Sequence, residues 1–89
     1  MVLIITFAHN NPQKDYTPFF EAIKSNSSEW WHFMDSTWIV TTGHSANDFA
    51  RLLFPHILQT DYVLVARLSG EHQGWLPKDA WDWLNGKLY

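Results

Sequence analysis

Val2-Leu3-Ile4-Ile5-Thr6-Phe7-Ala8 is the stretch on which the fold turns. It carries no charge and is dominated by β-branched residues, as expected of a central strand covered on both faces. Its two alternating sets, Val2, Ile4, Thr6, Ala8 and Leu3, Ile5, Phe7, are both apolar. The stretch Tyr62 to Leu68 behaves alike, with Tyr62, Leu64, Ala66 and Leu68 on one side and Val63, Val65 and Arg67 on the other. An antiparallel sheet with one wet face should alternate apolar and polar. Neither strand has a solvated side, so both faces of the sheet are expected to be covered.

Outward from that strand, His9 to Tyr16 is a polar loop rich in turn formers. Thr17-Pro18 reads as an N-cap followed by proline at the first helical position, opening a helix to about Lys24. Two short strands follow, Trp30 to Met34 and Thr37 to Thr42, joined around Asp35-Ser36 as a hairpin. Ser45 with Asp48 resembles a capping box, and Phe49, Leu52 and Leu53 have the spacing of a helix face that Pro55 ends near Phe54. Asp61 to Leu68 is the last strand, and Pro77 begins a short Trp-rich helix with Trp81 and Leu84 on one side.

This order predicts an α+β fold, a ferredoxin-like βαββαβ plait with both main helices on one face. Residues 1–89 form a single domain, with no repeat or linker. A second copy of the chain is the economical cover for the other face, so a homodimer is expected. The Gly74-Trp75-Leu76-Pro77 segment and its helix are expected to help close that face, with Trp75 at the rim of any pocket.

Composition bounds the function. A chain of 89 residues buries only about 60 to 65% of its unfolded surface, and six Trp, six Phe and three Tyr supply the mass for a dense core. With no cysteine there is no disulfide framework and no thiolate metal site, and a cytoplasmic setting is the default. The N-terminal apolar run is too short for a membrane span or a signal peptide. Net charge is −3 and the six Lys and Arg residues are scattered, which disfavours long nucleic acid as a partner.

No motif supports catalysis. His9, His32, His44, His56 and His72 lack the short zinc spacings, the carboxylates form no recognisable catalytic pair, and no serine has a nucleophile-elbow context. No catalytic residue, metal ligand or cofactor is therefore assigned. His9 stands out because it lies just beyond the first strand, where Asn10, Asn11 and Lys14 add donors that could meet a phosphate or a base edge. Trp30 and Trp31 are adjacent on a strand, so their rings point to opposite faces and only one can join the helix-covered core. The other could stack on a base, an interaction worth about 1–3 kcal/mol.

The strings Asp35-Ser36-Thr37-Trp38 and Gly74-Trp75-Leu76-Pro77…Trp81-Asp82-Trp83-Leu84, with Ile4-Ile5-Thr6-Phe7 and Trp30-Trp31-His32, resemble the SinR-family small proteins of bacteria and their phages. Those are similar to the small dimeric nuclease-like subunit of CRISPR adaptation and to VapD-type toxins. The resemblance implies a ferredoxin-like fold and a dimer. It also implies an aspartate at the end of the first strand wherever metal-dependent nuclease activity occurs, in a Tyr-Asp pair. Here the pair is Phe7-Ala8, and alanine cannot ligate a metal.

The expectation is a non-catalytic dimeric protein that sequesters a small nucleotide, such as a cyclic dinucleotide immune signal, as a phage anti-defence sponge. Its ligand contacts would be His9, Asn10, Asn11 and Lys14 with Trp30, Trp31 and Trp75. The alternatives are a metal-dependent nuclease or toxin using residues such as Asp35, and a protein-binding adaptor using a sheet edge or the Trp-rich C-terminal segment.

Overall fold

The computed structural model describes residues 1–89. The strands are β1 (Val2–Ala8), β2 (Glu29–Met34), β3 (Thr37–Thr41) and β4 (Tyr62–Arg67), and the helices are α1 (Thr17–Ser25), α2 (Ala46–Leu53) and α3 (Lys78–Asn85). The four strands form one antiparallel sheet in the order β2-β3-β1-β4. Element order and strand order together are compatible with a ferredoxin-like plait.

Period-2 alternation divides the side chains cleanly. Leu3, Ile5, Trp38 and Val40 meet Phe19, Ala22 and Ile23 of α1 and Phe49 and Leu53 of α2 in the main core. On the opposite face Val2, Trp31 and Ile39 meet Ala80 and Leu84 of α3 in a second, smaller core. The C-terminal helix thus closes part of the second face from within its own chain. It leaves the β4 side of that face open, where Tyr62 is 70% and Leu64 64% exposed.

Local signals explain most element boundaries. Ser45 Oγ accepts the Asp48 N–H at 3.1 Å, capping α2, and Pro55 turns the end of that helix into a single 3-10 turn, Phe54–His56. At α1 the cap differs from the expected one. Tyr16 occupies the cap position without a side-chain capping bond, and Asp15 Oδ1 accepts the Thr17 N–H at 2.9 Å. The last strand also begins one residue later than expected, because the Asp61 N–H is drawn into a turn with the Leu58 carbonyl at 2.9 Å.

The α3 segment is tied down at its far end. Lys87 Nζ pairs with Glu29 Oε2 at 2.5 Å and lies 4.3 Å from the Trp83 ring centroid. Tyr89 Oη donates to the Leu84 carbonyl at 2.6 Å. No helix is long and apolar enough to cross a membrane.

Candidate functional site

The seven residues singled out from the sequence fall in four places. His9, Asn10, Asn11 and Lys14 sit together beyond the C-terminal end of β1. Trp30 lies half-exposed on the edge strand β2, with Lys24 Nζ 5.1 Å from its ring centroid and the Trp38 ring 5.3 Å away. Trp31 is 1% exposed and belongs to the core beneath α3, where no ligand can stack on it. Trp75 is 99% exposed, in the loop before α3.

The polar corner around His9 is organised by Asp61, the residue just ahead of β4, which no sequence motif marks. Asp61 is only 6% exposed. Its Oδ1 accepts the Asn10 N–H at 2.8 Å and Asn11 Nδ2 at 2.8 Å, and its Oδ2 accepts the Leu58 N–H at 2.9 Å. The Tyr16 hydroxyl lies 2.7 Å from both oxygens. Burial alone would raise the Asp61 carboxyl; the donors from Leu58, Asn10, Tyr16 and Asn11 outweigh it and hold the group well below the ordinary carboxylate range.

The two asparagine amides expected to meet a ligand are spent on this staple. Asn10 Nδ2 donates to the Thr60 carbonyl at 2.8 Å, and Asn11 Nδ2 is also 2.9 Å from Thr60 Oγ1. The corner therefore clamps the β1 and β4 ends together, with few donors left to face solvent.

His9 fills the interior of the same corner. Its ring is stacked on Tyr16 at 3.6 Å between centroids and on Phe7 at 4.4 Å, and Nε2 is buried without a hydrogen-bond partner. Burial pushes its pKa below the ordinary value; the Asp61 charge opposes part of that shift and Lys14 adds to it. The neutral imidazole acts here as an aromatic ring.

The second region lies on the α3 face. A recess of about 270 Å³ is walled by Ile4, Met34, Ile39, Leu68, Leu76 and Trp81, with His72, Gln73 and Trp75 at its mouth. His72 Nδ1 donates to the Ser69 carbonyl at 2.7 Å, which leaves Nε2 of the neutral ring as an acceptor. Gln73 Oε1 accepts the Gly74 N–H at 2.9 Å, which leaves its amide N–H groups to donate. The recess thus offers an apolar wall with one acceptor, a donor and a free indole beside it.

Asp35, the residue proposed for the nuclease alternative, is exposed in the β2–β3 turn. No three His, Asp or Glu side chains lie close enough together to hold a metal ion. No family model, curated protein or solved structure matches this chain.

Trp75 is legible in the sequence as the rim of a pocket: Gly74-Trp75-Leu76-Pro77 places an indole between a glycine and a helix-starting proline, outside any regular element. His72 and Gln73 gave no such signal, since only the folded loop turns them toward the recess.

Proposed function

We propose that the protein is a non-catalytic binding module, a homodimer of ferredoxin-like plaits, that holds a small nucleotide on the α3 face. The observation that carries the reading is Trp75, a fully exposed indole standing at the mouth of an apolar recess. A recess of about 270 Å³ suits one base, not a whole dinucleotide. A two-fold symmetric ligand such as a cyclic dinucleotide would place one base in the recess of each protomer. Trp75 would stack on the base, for about 1–3 kcal/mol, while His72 and Gln73 read its polar edge.

No cation lines the recess, so the phosphates would remain in solvent and the base would supply most of the affinity. Calorimetric titration with nucleosides, mononucleotides and cyclic dinucleotides tests this reading. Heat from nucleosides as well as nucleotides is expected, and silence from the whole panel overturns it.

A further inference from the structure

The sheet has two edges, and they are built differently. β2 carries a register break between Trp31 and Met34 along with Glu29 and His32, features that discourage strand addition. β4, Tyr62-Val63-Leu64-Val65-Ala66-Arg67, has no proline, no lysine and no bulge, and is paired in unbroken register with β1.

Its outer backbone groups can be identified. The Leu68 N–H donates to the Val2 carbonyl at 2.9 Å, so by antiparallel alternation Leu68, Ala66, Leu64 and Tyr62 turn their peptide groups toward β1. Val63, Val65 and Arg67 turn theirs outward, where β4 has no neighbouring strand. Exposed apolar side chains border this edge: Tyr62 and Leu64 on the strand, Phe54 and Leu58 in the connection leading to it.

We propose that β4 pairs antiparallel with β4 of a second copy about a two-fold axis through Leu64, joining two four-stranded sheets into one of eight strands. The inference deepens the homodimer proposed above and rests on it. A two-fold normal to the sheet keeps like faces together, so each residue must meet one of the same parity. Centred on Leu64, the axis sets Val63 against Val65 through their free peptide groups and the large Tyr62 against the small Ala66.

The same register brings Arg67 of one copy level with Asp61 of the other, whose buried carboxylate is already held by Asn10, Asn11, Tyr16 and Leu58 of its own chain and forms no ion pair there. An axis at Val65 would set Arg67 against Val63 and the large Tyr62 against Leu68, and lose that match of large with small. The strand is thus complementary to itself in size, with Tyr62 over Ala66 and Val63 against Val65, which favours a second copy over a foreign peptide. Both α3 helices then lie on one side, framing a trough floored by Thr6, Tyr62, Leu64 and Ala66 of each copy.

The cysteine-free sequence makes a direct test available. Leu64 on the axis would face its own copy in a non-hydrogen-bonded pair, with Cα atoms about 4.5 Å apart, within disulfide reach. Leu64→Cys should therefore oxidise to a covalent dimer as the major species, whereas Trp75→Cys, exposed but away from the edge, should not. Leu64→Lys should sediment as a monomer with the wild-type circular dichroism spectrum.

A wild-type dimer that persists in Leu64→Lys and fails to cross-link through Leu64→Cys overturns the β4 pairing and leaves the homodimer standing. A wild-type chain that sediments as a monomer at high micromolar concentration overturns both, and leaves β4 to an extended peptide from another protein.

Discussion

The Tyr16 hydroxyl lies 2.7 Å from each carboxylate oxygen of Asp61, 45 residues further along the chain. This contact joins the entry to α1 to the entry to β4, and the Asn10 and Asn11 donors complete it. A carboxylate so enclosed is costly to disturb, because its donors would be left buried and unpaired.

Asp61→Asn should accordingly lower the melting temperature by about 10 °C or more, and Tyr16→Phe, which removes one donor and keeps the ring stacked on His9, by roughly half as much. Thermal unfolding followed by circular dichroism reads both. Equal and negligible shifts would show that the corner does not clamp the fold.

His9 sets a pH dependence with a definite sign. Its pKa is lower in the folded chain than its ordinary 6.5, so between the two values the unfolded chain binds more protons. This contribution to stability is complete above about pH 6.5, declines as the pH falls below that, and levels off beneath the folded-state value. His9→Phe retains an aromatic ring and should remove that part of the acid limb. Melting curves across this range for the two chains would show the difference.

The tryptophans should separate sharply on substitution. Trp31→Ala empties the core under α3 and should cost about 3–5 kcal/mol, whereas Trp75→Ala should change stability by no more than about 0.5 kcal/mol. Denaturant titration measures both.

Much of the architecture was legible because it depends on local pattern. Period 2 sent Trp30 and Trp31 to opposite faces, and Ser45 with Asp48 announced the start of α2. The two-sided apolar character of β1 and β4 called for a second cover; α3 supplies it over Val2, Trp31 and Ile39 and leaves Tyr62 and Leu64 of β4 exposed. How much of that face α3 would span was not legible, since alternation reports that a face is apolar and not what lies against it.

The donors of the polar corner face inward, to Asp61 and Thr60, and not toward a ligand. Asn10 and Asn11 are donors in a loop, which is as consistent with a ligand as with an internal acceptor. The acceptor, Asp61, is about fifty residues away and looks in sequence like any acid before a strand. Its position directly ahead of an apolar run, beside Thr60, was the only local hint.

Ligand binding is proposed at the Trp75 recess and not at the His9 loop, and one comparison tests this most directly. Cyclic dinucleotide affinity is measured by calorimetry for the wild type, Trp75→Ala and Lys14→Ala. Loss of the stacked indole should weaken binding by about 5- to 150-fold, the equivalent of 1–3 kcal/mol, while Lys14→Ala should match the wild type. Binding unchanged by Trp75→Ala and abolished by Lys14→Ala would contradict the account.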